Sequence, residues 1–372
     1  MMPPRLQADA YHFLMTRAPL TSGSIPDYLR EAEARGAVPA GFRVQGLEPL
    51  TGGRTGARVI AIRPGYVLKV LPRDTWRVAA MQAPHAGEGP LWLSGATREL
   101  PAPVACPTVD VAVHMGNDEW WMLMRDVSDG IRPRGAFTEH DERLLLTAIA
   151  RLHAHYWDGS NGLDALPLAP VRGTTAAFAE PVAFTAGRAA PSADWVPRCV
   201  EDFTPLRMLL PAFLEMLDPG DADFYIRVAS ERSWHRGLDD ATPTLNHGDL
   251  RRANIAFADK TVTLLDWEFA SRAPAACDLQ HHWFLHFWAY PPDDGLPPEA
   301  RAPLRDFYLA ELEAALGQAI DRGEFERTWD LGWLRTLSMI GICLADTPDP
   351  TATEARHRAK AAIALARAIL DG

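Results

Sequence analysis

The stretch LNHGDLRRANIAFADKTVTLLDWEF, residues 245–269, sets His247, Asp249, Asn254 and Asp266 around two short apolar runs. NIAF and TVTLL have strand character, and the ADK between them is a turn. A hairpin brings its two ends together, so Asn254 and Asp266 face one site. Two oxygen ligands held close suit Mg²⁺, which takes carboxylate and carbonyl oxygens and completes its shell with water and phosphate. Asp249 lies beside them as a base or as a group that orients a hydroxyl. Each residue alone reads most simply as a turn cap. All of them on one hairpin point to chemistry, with Asp249 and Asn254 set at a D-x-x-x-x-N interval.

Such a hairpin needs a scaffold, and 372 residues suggest two domains or lobes. Residues 1–46 read as helical and surface-bound: Ser24 can cap, Pro26 suits a first turn and Gly36 a stop. FRVQGLEPLTGGRTGARVIAIRPGYVLKVLP predicts strands over 44–50, 57–62 and 66–71, with Gly52, Gly53 and Gly56 in the first turn and Pro64 with Gly65 in the second. A further pair is predicted over 108–114 and 120–124. TEHDERLLLTAIARLHAHYW then carries Leu145, Ile149, Leu152 and Tyr156 on one helical face, opened by a capping box of Thr138 and Asp141. Residues 159–240 mix helices with loops. From about 278 onward the chain is helical again, with Thr351 and Glu354 as a second capping box. A strand-rich part thus gives way to a helix-rich part near 125–130 without a long linker.

Composition narrows the classes. Net charge is −11, from 37 basic and 48 acidic side chains, which argues against nucleic acid and is compatible with a cationic substrate or with solubility alone. The four cysteines are scattered with no CxxC, which fits a reducing cytoplasm. No signal-peptide run or membrane-length apolar stretch is present, so a cytosolic location away from membranes is expected. His282 and His286 are one helical turn apart, but no third zinc ligand or HExxH accompanies them, and helix packing is the simpler reading. There is no GxSxG elbow.

HGDLRRAN followed by LLDWE resembles the aminoglycoside phosphotransferase and choline kinase family, which is similar in fold to protein kinases and phosphorylates small-molecule hydroxyls with ATP and Mg²⁺. The resemblance spans roughly residues 44–290 and rests on short motifs. It implies an α+β, two-lobed protein-kinase-like fold. Residues 1–126 would form a small antiparallel-sheet, nucleotide-binding lobe with a helical extension over 1–46. Residues 127–372 would form a larger, mainly helical lobe for catalysis and acceptor binding. The resemblance makes Asp249 the catalytic carboxylate and Asn254 and Asp266 the metal ligands. His247 supports the loop, and Asp278 of CDLQ braces it.

The resemblance also implies a phosphate site in the first lobe. Gly52, Gly53 and Gly56 would cover the phosphates, although the pattern is neither GxGxxG nor GxxxxGK[ST]. Lys69 of YVLKV would pair with the α- and β-phosphates, held by Glu88, with Glu99 as the alternative. Gly89 and Pro90 follow Glu88 directly and suit a helix that starts there. WWMLMRDVSDG matches the family's hinge, where the Arg125 carbonyl and Val127 N–H would face adenine. The acceptor would bind parts of 159–240 and 280–345. There Glu201, Asp202, Asp239 and Asp240 either attract an amine or form a solvated surface. Aminoglycosides, amino alcohols and other natural-product alcohols all stay open as acceptors, as does a role for Arg251 or Arg252. A nucleotide-binding pseudokinase without turnover is an alternative, against which the intact Lys69, Asp249, Asn254 and Asp266 argue. A metal-dependent hydrolase using His247, Asp249 and Asp266 is another, which leaves Lys69 unexplained.

Overall fold

The computed structural model describes residues 19–20, 23–50, 57–73, 76–83, 86–114, 116–133, 136–187, 190–231, 233–289, 301–346 and 353–371. In chain order its first part comprises β1 (Pro19–Leu20), α1 (Ile25–Ala34), β2 (Gly46–Leu50), β3 (Arg58–Arg63), β4 (Tyr66–Pro72), α2 (Trp76–Ala80), α3 (Glu88–Leu93), β5 (Val104–Ala105), β6 (Thr108–His114) and β7 (Glu119–Arg125). One sheet runs in the order β1-β6-β7-β4-β3-β2. Only β1 pairs parallel; β2, β3, β4, β7 and β6 pair antiparallel. All five strands expected between 44 and 124 form there, because β-branched and aromatic runs bounded by turn residues favour a half-buried pleated surface.

The N-terminal expectation needs correction. Among the described residues before β2 only α1 is helical, and it is not a surface layer. Its Tyr28, Leu29 and Ala32 are buried against Leu68, Trp121 and Leu123 of the sheet. The reason is its 3.6-residue apolar stripe, which covers one sheet face. Its ends follow the sequence: the Ser24 side chain accepts from the Asp27 N–H, and Gly36 takes φ +75° just after the last turn. Arg35 then clamps the helix end to the buried Asp110 of β6 through two bonds of 3.0 and 2.7 Å.

The second part comprises α4 (Glu139–His155), β8 (Ala169–Pro170), α5 (Val171–Thr185), α6 (Trp195–Asp202), α7 (Thr204–Glu215), α8 (Pro219–Glu231), β9 (Thr244–Asn246), β10 (Ile255–Ala258), β11 (Thr261–Leu264), β12 (Ser271–Ala273), α9 (Ala276–Phe284), α10 (Arg301–Leu316), α11 (Arg322–Ile340) and α12 (Thr353–Asp371). The fold is α+β, an antiparallel-sheet-rich first part followed by a mainly helical second part. Thr138 and Asp141 form both bonds of the capping box on α4. Its expected face is buried: Leu145, Ile149 and Leu152 are fully covered and Tyr156 nearly so. Thr351 lies outside the described residues, and with it the second capping box.

That face packs against the hairpin β10–β11 and helices α9 and α10 in one core. Further contacts join the parts. β5 of the first part adds in parallel to β11, Val104 opposite Val262 and Ala105 opposite Thr263. On another side, Trp76 and Ala80 of α2 pack with Ala177 of α5, Trp195 and Val196 of α6, and Phe269. Among the described residues no helix is long and apolar enough to cross a membrane, and all four cysteines are free thiols.

The α5 contact is close enough to require glycine. A Cβ at Gly173 would lie 2.1 Å from the Met81 carbonyl oxygen, a backbone atom with no easy escape. Gly173→Ala should therefore destabilise the fold by about 1–3 kcal/mol, as overpacking does. Denaturant unfolding measures this, and a wild-type midpoint would contradict the close approach.

Candidate active site

Strand pairing sets the first geometry. Ile255 lies opposite Leu264, and the Leu265 N–H donates to the Asn254 carbonyl at 2.8 Å. The hairpin therefore closes with Asn254 and Asp266 at one end, as the sequence predicts. Asn254 is 5% exposed and its amide is already oriented: Nδ2 donates to Asp249 Oδ2 at 2.9 Å and to the Asp249 carbonyl at 3.0 Å. Its Oδ1 accepts no hydrogen bond from the described residues and stays available to a ligand.

The loop carrying Asp249 is held from below by α9. The buried Asp278 accepts from the His247 N–H at 2.7 Å and from the Gly248 N–H at 2.8 Å. Burial works to raise its pKa, but these bonds and His153, 3.4 Å away, hold it below the usual carboxylate range. His247 supports the same loop: its Nε2 meets the Leu265 carbonyl at 2.9 Å, and its ring lies against Trp267. Gly248 takes φ +84°, and a Cβ there would meet the Phe269 carbonyl oxygen at 2.0 Å, so only glycine fits the turn.

Asp249 is itself surrounded by donors. Arg251 Nε lies 3.0 Å from its Oδ2, and His281 Nε2 of α9 lies 3.3 Å from its Oδ1. Burial would raise its pKa, but Arg251 and His281 outweigh burial and hold the carboxyl well below its ordinary value. Asp249 is thus an ionised, weakly basic carboxylate.

The cation comes from the sheet. Lys69 on β4, opposite Val59 and Met122, is 7% exposed. Its Nζ donates to Glu88 Oε2 at 2.7 Å and to Asp266 Oδ1 at 2.8 Å, the latter across 197 residues. Burial opposes its charge, but Asp266 and Glu88 raise its pKa, so the ammonium persists. Asp266 in turn is disfavoured by burial and kept ionised chiefly by Lys69. Between the two glutamates considered for Lys69, the geometry selects Glu88; Glu99 is exposed. Glu88 is the first residue of α3, as Gly89 and Pro90 imply. Gly89 is needed as well, since a Cβ would lie 2.8 Å from the Trp120 ring. Asp266 adopts φ +62°, ψ +66°, a left-handed conformation that costs a non-glycine residue on the order of 1 kcal/mol and is typical of functional sites.

Other expected residues divide. Arg125 and Val127 stand where the sheet ends, and the Val127 N–H makes no backbone hydrogen bond among the described residues. Gly52, Gly53 and Gly56 lie outside the described residues. Glu201, Asp202, Asp239 and Asp240 are exposed, which fits a solvated surface. His282 is taken by the buried Glu142, whose carboxylate also accepts from Trp283 Nε1 at 2.6 Å. Among the described residues no group of three or more His, Cys, Asp and Glu could hold a metal ion.

Sequence reasoning missed three residues. Arg77 of α2, 1% exposed, meets Glu268 Oε1 at 2.7 Å and ties the first part to the segment after Asp266. Burial raises the Glu268 pKa against the pull of Arg77 and Lys69. His281 is the third. Its signal was present, since residues three apart share a helix face and Asp278 had been singled out.

The sequence model of the phosphotransferase enzyme family matches residues 46–325. Several solved structures are similar. A candidate fructosamine-3-kinase from Haemophilus somnus 129PT has 13% identity and a TM-score of 0.48, with 97% of this chain and 99% of that chain covered. A candidate aminoglycoside phosphotransferase from Ralstonia eutropha JMP134 has 16% identity and a TM-score of 0.47, covering 92% and 97%. Macrolide 2′-phosphotransferase from Brachybacterium faecium has 18% identity and a TM-score of 0.42, covering 91% and 98%. No curated protein matches the chain.

The Asp278 brace sets a pH signature. Asp278→Asn leaves one of two amides without an acceptor and should cost about 2–4 kcal/mol near neutral pH, since hydrogen bonds to a charged group contribute ~1.5–3 each. The folded pKa is depressed, so this stabilisation is full above the unfolded value of about 3.9 and fades as pH falls toward the folded one. Denaturation of both proteins from pH 7 downward should give a gap that narrows only below about pH 4. A gap constant with pH, or none at pH 7, would contradict an ionised brace.

Proposed function

The chain belongs to the phosphotransferase enzyme family, and from that premise we propose that it transfers the γ-phosphate of ATP to a hydroxyl of a small molecule. At the coarser level it is a small-molecule, kinase-type phosphotransferase. One observation carries the finer reading: Lys69 pairs with Asp266 and Asn254 with Asp249, and the closed end of the hairpin brings the two pairs together from distant segments. A phosphoryl-transfer site asks mainly for positioned charge and little covalent chemistry, so this small set suffices.

In this reading Lys69, kept charged by Glu88, is the cation for the α- and β-phosphates, under cover of Gly52, Gly53 and Gly56. The Arg125 carbonyl and Val127 N–H take the adenine edge. Asn254 through Oδ1 and Asp266 through its ionised carboxylate would hold Mg²⁺. Both are oxygen donors of the kind it prefers, and the Asn254 amide is pre-turned by Asp249. When bound, the ion offsets the negative charge of the β- and γ-phosphates. Asp249, ionised and weakly basic, orients the acceptor hydroxyl and takes its proton late, when the oxygen has already lost electron density. Residues 1–126 would act as the nucleotide lobe and 127–372 as the acceptor lobe. The acidic balance argues against nucleic acid, and four cysteines outside any disulfide suit the cytoplasm.

An ATP-consumption screen against aminoglycosides, amino alcohols and other alcohols should find at least one acceptor. Asp249→Asn should then lower kcat by about 10²–10⁴-fold while nucleotide still binds; near-normal turnover in that variant would refute its role. Asp266→Ala should weaken Mg-ATP binding at least about tenfold, ~1.4 kcal/mol by titration calorimetry. Unchanged affinity would remove Asp266 from the metal site. Binding of ATP with no consumption under any acceptor would favour the binding-only alternative.

A further inference from the structure

Helix α9 touches the catalytic loop at two points on one face. Asp278 takes the loop's amides, and His281, one turn later, reaches the carboxylate of Asp249. His281 is 3% exposed. Its Nε2 lies 3.3 Å from Asp249 Oδ1, while Nδ1 is buried and has no hydrogen-bond partner. An ionised carboxylate accepts only, so the facing Nε2 carries a proton toward it, while Nδ1 stays unpartnered in the interior. Leaving a buried polar atom unpaired costs about 1–3 kcal/mol, and an apolar ring at this place would avoid that cost. A histidine kept for packing is therefore the poorer explanation.

The three donors on Asp249 are not equivalent. Asn254 Nδ2 hydrogen-bonds Oδ2, Arg251 Nε lies 3.0 Å from the same oxygen as an ion pair without hydrogen-bond geometry, and among the described residues Oδ1 has only His281. Arg251 meets Asp249 from a 39% exposed side chain, and Asn254 has a second task at its Oδ1. His281 is the one donor on a rigid helix, and that helix is also the loop's brace. Resting on the phosphotransferase reading above, we propose that His281 is a positioning residue: it fixes the carboxylate plane of Asp249, so that the acceptor hydroxyl meets one defined lone pair. It touches neither nucleotide nor the transferred group, and it acts only through Asp249.

The test uses the full-length protein with the best acceptor from the screen. His281→Phe keeps the ring volume and removes the donor; His281→Gln keeps an N–H close to the Nε2 position. His281→Phe should lower kcat by about 10–100-fold, as misplacement of a reacting group does, with the nucleotide KM unchanged. His281→Gln should recover most of the loss. In an Asp249→Asn background, His281→Phe should add less than about a twofold further loss, because residues acting as a unit are not additive. Overturning results would be His281→Phe turning over within twofold of wild type, equal losses in Phe and Gln variants, or full additivity with Asp249→Asn. ATP consumption absent from the wild type as well would defeat the phosphotransferase reading itself, and is read separately from any His281 variant.

Discussion

The site depends on one buried carboxylate. Asp278 satisfies two consecutive N–H groups of a turn that no strand or helix can pair, since Gly248 is left-handed and pressed against the Phe269 carbonyl. Without that side chain, both amides would be orphaned in a dry interior. His247, Asp249 and, through Asp249, Asn254 all take their positions from that turn. The acceptor must also be immobile, and α9 provides this by being buried along its whole length. His153 and Tyr308 back the carboxylate from α4 and α10, so the loop is referenced to the main core and not to the surface.

A second constraint is electrostatic. Glu88, Asp266 and Glu268 crowd around Lys69 in a region of little water, and each affects the others. Two of the three sit directly on the lysine; the third, Glu268, is relieved by Arg77 from the other side. Removing either cation would leave a buried negative charge uncompensated, which is the costly way to break such an arrangement. The cluster thus couples the sheet, through Lys69, and α2, through Arg77, to the segment that ends the hairpin.

Much of this was legible because it is local. The strands, the capping box on α4, the face of Leu145, Ile149 and Leu152, and the meeting of Asn254 with Asp266 follow from short-range periodicity and turn chemistry. Family resemblance added Lys69, Glu88 and Asp278, whose contacts cross 19, 197 and 31 residues and have no local signature. What neither supplied is long-range and side-chain specific. The addition of β5 to β11 needs only two residue pairs, too short to mark a strand. Arg77 reads as an ordinary helical arginine until Glu268 is opposite it. The left-handed turn at Asp266 is imposed by the tertiary surroundings, against its intrinsic preference. The N-terminal helix was misjudged as superficial because its stripe of Tyr28, Leu29 and Ala32 is narrow, and only the sheet shows what it covers.

The parts touch at several places: β5 on β11, α2 on α5 and α6, Tyr156 at the Ala96 carbonyl, and the Lys69–Asp266 and Arg77–Glu268 pairs. One of these is a hydrogen-bonded ladder and another includes a glycine pressed onto a carbonyl, so neither yields by a simple change of rotamer. The ion pairs differ in kind, because a charge contact can lengthen without any change of packing. Lys69 and Asp266 thus act as a latch between two parts whose spacing the tighter contacts already set.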